Sequence, residues 1–186
     1  MSPTQLLVPA YAQMLRALSG WLDKARDHDG AEGVMARRLT PDMFPLASQV
    51  RFACLQAQEA TYRLGGEPVP PALDDLAREG REAGERPGTL ADAQARIAEA
   101  LARLDAVAPG ALDAGSARPV TLEPGGGLVF DMATGDDYAR DWALPQFYFH
   151  LVTAYAILRH HGVPLGKADY VPHMFGYLRP GSLPRS

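Results

Sequence analysis

Residues 144–161, LPQFYFHLVTAYAILRHH, constrain the fold of this chain more than any other stretch. Phe147, Leu151, Ala154 and Leu158 recur at four- and three-residue steps and make one helical stripe, while Phe149, Val152 and Ala156 lie on other faces. A helix that is apolar nearly all round is usually buried on most sides, so this one needs other helices around it. Pro145 suits its first turn, and Gly162 with Pro164 ends it, which predicts a helix from about 144 to 161.

Three further helices can supply the enclosure. Ser2, Pro3 and Gln5 have the spacing of a capping box, and Leu7, Tyr11, Met14, Leu18, Trp21 and Ala25 continue as a single buried stripe, giving a first helix over 3–26 that the segment DHDGAEG interrupts. Pro45 opens a second helix with the stripe Leu46, Val50, Ala53, Ala57, Ala60 and Leu64, closed by Gly65-Gly66. Thr89 and Asp92 cap a third, striped by Leu90, Ala93, Ile97, Leu101 and Leu104 and stopping before Pro109. The Pro-, Gly- and charge-rich connection between the second and third has room for one short helix at about 71–80. Between the third and fourth, RPVTLEPGGGLVFDM sets two β-type runs around glycines. A small hairpin is expected there, lying against the helices because an isolated hairpin is marginal in water.

The expected fold is therefore all-α, a four-helix bundle with a β-hairpin excursion between helices three and four. It occupies 1–170 as a single domain, with 171–186 as an irregular tail containing Pro172, Pro180 and Pro184. A chain of 186 residues that is 47% hydrophobic suits one core of that kind. Its formal net charge of −4 argues against nucleic acid as a partner, since such modules carry a basic face. No window approaches the roughly 18 apolar residues of a membrane span. A lone cysteine, Cys54, and an N-terminus without a leader pattern point to a cytoplasmic protein.

Chemistry concentrates on the fourth helix. Gln146, His150 and Thr153 stand at i, i+4 and i+7 and share one face beside the main stripe. Gln49, beside the stripe of the second helix, can approach the same layer, and Tyr155 is an aromatic neighbour. Tyr11, Trp21, Phe147 and Phe149 are core residues or, with Tyr155, the walls of a pocket. The set reads as a satisfied core histidine, as a small-molecule pocket without cofactor, or as a divalent site, zinc or nickel, on His150 with Gln146 and Gln49. The last has few suitable donors, because zinc takes imidazole, thiolate or carboxylate and a carboxamide carries no charge to offset dehydration. Asp137 and Asp141, at i and i+4, suit a cation or a helix cap. His160-His161 suit the C-terminal end of a helix dipole. GVPLGKA at 162–168 lacks the spacing and the Ser or Thr of a phosphate loop.

On the residues LPQFYFHLVTAYAILRHHGVPLGKADY, 144–170, and PDMFPLASQVRFAC, 41–54, the chain resembles the DinB/YfiT-like superfamily of four-helix bundles, and within it a bacterial family known only as a domain of unknown function. Typical members hold a divalent metal with one histidine on the second helix and an H-x-x-x-H pair on the fourth, and some resemble thiol-dependent transferases. Counted back from Gly162, His150 takes the place of the second histidine of that pair and Gln146 of the first, with Gln49 the nearest polar residue on the second helix. Pairing through helices one and four is common in such bundles, so the resemblance implies a homodimer. Three functions stay open: a bundle with a degenerate metal site that binds a small molecule between its helices, a metal-dependent thiol transferase or hydrolase centred on His150, and a non-catalytic homodimeric interaction protein.

Overall fold

The structure, a computed structural model, describes residues 1–28 and 33–182. Helix α1 (Pro3–Arg26) starts at Ser2, whose Oγ accepts from the Gln5 N–H at 3.4 Å while the Gln5 side chain reaches back. Helix α2 (Leu46–Gly65) ends at Gly66, where φ of 73° takes the left-handed conformation that glycine tolerates. A shorter α3 (Pro71–Glu82) precedes α4 (Leu90–Asp105), which Thr89 and Asp92 cap reciprocally. The hairpin is β1 (Val120–Gly125) with β2 (Leu128–Met132), antiparallel in the register Val120 to Met132 and Leu122 to Phe130. Next come α5 (Gly135–Tyr138), α6 (Leu144–His160) and α7 (Lys167–Tyr170). Residues 29–32, within the segment expected to interrupt the first helix, and 183–186, including Pro184, lie outside the described residues.

At the centre is α2, packed on α6, α3 and α4. Its stripe from Leu46 to Leu64 is fully buried against the stripes of α1 and α6, in which Leu7, Tyr11, Leu18, Phe147, Leu151, Ala154 and Leu158 are equally enclosed. Helix α3 is held by Arg51 of α2, whose Nη1 donates to Ala47 and Pro87 carbonyls at 3.1 Å and whose Nε stands 3.5 Å from Glu79. The hairpin turns Val120 and Leu122 inward, receives a hydrogen bond from Arg63 to the Thr121 carbonyl at 3.2 Å, and sets Phe130 5.7 Å from Trp142.

Three expectations are corrected. The fourth long helix begins before Leu144: α5 starts at Gly135, capped by Thr134, and runs through a π-helical turn, Ala139–Ala143, straight into α6. Pro145 has no N–H and its ring would meet the carbonyl of residue 141 in an ordinary turn. The widened turn accommodates that ring, so the proline that reads as a helix start is internal. Nor is α6 enclosed on most sides, because Phe149 and Val152 face outward, 56% and 47% exposed. Finally, the segment after Lys167 takes regular turns, α7 and a 3-10 segment at Pro172–Tyr177. Trp21 anchors it, donating to the Asp169 carbonyl at 2.7 Å and stacking on Tyr170 at 5.6 Å.

The C-terminal end of α2 fits tightly against the loop before the hairpin. A Cβ at Gly115 would collide with the Leu64 carbonyl, which is backbone and cannot swing away. Gly115→Ala should therefore cost about 2 kcal/mol by overpacking, read as a lower urea midpoint at unchanged m-value; an unaltered midpoint would show that this contact is loose.

Candidate functional site

A second face of α2, beside its core stripe, carries Gln49, Phe52, Gln56, Glu59 and Arg63. On the continuous α5–α6 helix, Trp142, Gln146 and His150 follow at four-residue steps, Trp142 coming from the π-helical turn. These two faces, with Leu73 and Ala77 of α3 and residues 122–126 of the hairpin, enclose a groove of about 770 Å³. Phe44 and Phe52, edge to face at 5.5 Å, form its aromatic wall near His150. Phe52 reaches that position because α3 has a glycine opposite it: a Cβ on Gly80 would stand 2.5 Å from the ring.

His150 Nδ1 lies 2.9 Å from Gln49 Oε1, and the Gln49 amide nitrogen donates to the Phe44 carbonyl at 3.2 Å. The second bond orients the carboxamide, so its oxygen can only accept, and Nδ1 must carry the imidazole proton. Nε2 is then the nitrogen with the lone pair. Burial, with the Phe52 and Phe149 rings 5.0 and 5.3 Å away, pushes the His150 pKa down to about 4, so the ring is neutral at ordinary pH.

Of the residues anticipated from sequence, Gln49 and His150 meet directly and Gln146 joins His150 at the groove. Thr153 does not: its hydroxyl donates within its own helix to the Phe149 carbonyl at 2.7 Å. Tyr155 lies elsewhere, 5.3 Å from Trp21 and 5.7 Å from Tyr170. Tyr11, Trp21 and Phe147 are core, and the groove takes its walls instead from Phe44, Phe52, Leu73 and Trp142. Of those walls, Trp142 and Phe52 follow the faces next to the main stripes, legible only in the four-residue steps 142, 146, 150 and in the run 49, 52, 56, 59, 63, while Phe44 and Leu73 lie outside both.

Asp137 and Asp141 do fall on one helix, but Arg140 pairs with both at 2.7 and 2.6 Å. The Thr134 hydroxyl and Arg140 hold Asp137 below the usual carboxylate range, and Arg140 does the same for Asp141. His161 spends Nε2 on the Arg38 carbonyl at 3.0 Å. Cys54 is fully buried, and burial pushes its thiol up to about 12, far from a nucleophile.

A divalent ion of the kind the superfamily resemblance implies does not fit these residues. Its donor set would be one imidazole and two carboxamides, and Gln49 Oε1 already accepts from His150. Among the described residues no group of three His, Cys, Asp or Glu side chains converges.

A model of the family described as Domain of unknown function (DUF1993) matches residues 4–171. The chain belongs to that family. The fold of this DUF1993 protein is similar to the crystal structure of a DinB family member from Shewanella denitrificans, at 29% identity and a TM-score of 0.72, covering 97% of this chain and 95% of that one. No curated protein matches it. The DUF1993 chain is thus a DinB-like bundle of unknown function, and none of its described helices is long and apolar enough to cross a membrane.

A histidine whose folded pKa is depressed favours folding when neutral. That contribution is complete above about pH 6.5, the unfolded value, and is lost as pH falls toward 4. The loss amounts to about 2–3 kcal/mol. His150→Gln, which cannot titrate, should flatten the stability profile between pH 6.5 and 4 in urea melts; a slope identical to the wild type would mean that His150 titrates normally.

Proposed function

We propose that this DUF1993 protein binds a small organic molecule in the groove between α2, α3, the hairpin and the start of α6. The observation that carries the reading is the Gln49–His150 hydrogen bond, which presents one defined, neutral imidazole tautomer at an aromatic-walled groove of about 770 Å³. Pockets of that size are the usual form of a small-molecule site, and here the apolar surface of Phe44, Phe52, Leu73 and Trp142 is joined by charged side chains, Glu59 with Arg63, Asp74, Arg81 and Glu123. Binding is favoured over metal-assisted thiol transfer or hydrolysis because the donor set is poor in charged ligands. It is favoured over general-base catalysis because a base works best with a pKa near the operating pH, and His150 lies at about 4.

Ala77 lines the groove from α3. A fragment library screened by thermal shift should yield ligands that stabilise the wild type but not Ala77→Trp, whose indole would fill the space. A ligand at about 100 times its Kd adds about 2.7 kcal/mol, several degrees in Tm for a chain of this length. A library in which every hit stabilises both proteins alike, or which yields none, would refute the reading.

The outward face of α6 supports a second proposal, that two copies pair through it. Phe149 and Val152, 56% and 47% exposed, stand three residues apart on that helix and so share an outward face, large apolar side chains that a partner would cover. Light scattering should give a dimer for the wild type and a monomer for Phe149→Glu with Val152→Glu; a monomeric wild type removes the proposal.

A further inference from the structure

Gln56 stands one turn beyond Phe52 and two turns beyond Gln49 on the groove face of α2. Its side chain lines the groove and is 8% exposed, yet its Oε1 is buried with no hydrogen-bond partner. A buried carboxamide oxygen left unpaired costs free energy that a partner restores. The polar residues around it on α2 are already engaged: Gln49 bridges His150 and Phe44, and Glu59 is paired with Arg63 at 2.6 Å. A leucine here would fill the same space with no polar group to satisfy. A partner entering from the groove accounts for the glutamine, and since the terminal amide torsion is broad, the carboxamide can offer such a partner its oxygen or its N–H groups.

His150 supplies the second contact through the lone pair on Nε2. An anion would set its own lone pairs against Nε2 and has nothing to donate. A cation would bring positive charge to a place where burial already resists protonation of the ring. A neutral N–H or O–H donor is what remains. Phe44, Phe52 and Trp142 line the groove as well and offer aromatic surface to a planar ring.

We propose that the groove selects a neutral planar lactam or aromatic amide, whose N–H donates to His150 Nε2 and whose other polar groups meet the Gln56 carboxamide. This rests on the small-molecule reading above and names the class of molecule. An amide or lactam carries a donor and an acceptor on one flat uncharged framework, as both contacts require, whichever way the Gln56 amide is turned.

The matched probes 1-isoquinolone and N-methyl-1-isoquinolone share a ring system and a carbonyl and differ in the N–H. Titrated into the full chain and followed by amide and imidazole NMR shifts, 1-isoquinolone should bind about tenfold more tightly, the worth of one good hydrogen bond. It should also shift the His150 Nε2 resonance. Gln56→Leu, which removes an unpaired polar group and should fold at least as stably, is expected to weaken 1-isoquinolone several-fold. Equal affinity of the two probes, or an affinity for 1-isoquinolone unchanged by Gln56→Leu, overturns the lactam proposal and leaves the groove reading standing. So does failure of both probes when the library still yields hits that Ala77→Trp abolishes. A library without such hits overturns both.

Discussion

The packing of α6 on α2 is the contact from which the rest of this bundle follows. Along that seam Leu46, Val50, Ala53 and Ala57 meet Phe147, Leu151, Ala154 and Leu158, all fully buried. Three of the four α2 residues in that stretch are small or β-branched, so the helices approach closely, and the register this sets brings Gln49 to 2.9 Å from His150. The same helix then has a second face left over. Its core stripe is satisfied by α1 and α6, and the residues beside it, Phe52, Gln56, Glu59 and Arg63, become the floor of a groove instead of more core.

Two backbone features make that groove. The π-helical turn at Ala139–Ala143 places Trp142 on the same face as Gln146 and His150, and Gly80 on α3 leaves the space that Phe52 occupies. Both are local departures from good helix-making: a π turn strains the hydrogen-bond ladder, and a glycine inside a helix costs about 0.5–1 kcal/mol relative to alanine. Each is matched by an aromatic ring placed at the groove, which connects the local cost to the site.

The bundle itself was legible because its signals are short-range. The capping pairs Ser2 with Gln5 and Thr89 with Asp92, the left-handed Gly66 and the glycines of the hairpin turn each specify their element from a few adjacent residues, and the structure has these elements where the spacing predicts them. The DinB-like architecture follows from them. What escaped depends on how elements meet. Pro145 reads as a helix start because nothing adjacent announces a π turn, and Phe149 reads as enclosed because periodicity says which residues share a face but not whether a neighbour covers it. Among the site residues, the pairing of Gln49 with His150 was within reach of helical spacing. The participation of Phe44, of Leu73 and of the hairpin at 122–126 was not, since each depends on a tertiary approach of segments outside the helical faces of Gln49 and His150.

The Gln49–His150 bond also explains how a histidine can persist at this place without the rest of a metal set. An imidazole on the second helix would leave both rings free to turn a lone pair toward a shared ion. A carboxamide does something different: with its nitrogen committed to the Phe44 carbonyl, its oxygen accepts a proton and fixes Nδ1 as the donor. The oxygen cannot at the same time accept from Nδ1 at full strength and compete for a cation's inner shell, since both claims fall on one small neutral group. The remaining lone pair on Nε2 is left as a directed, uncharged acceptor among aromatic rings, where a hydrogen bond is stronger than in water and an unmatched partner is more costly. Orientation thus replaces charge at this position, the physical basis of the proposed recognition of a neutral molecule.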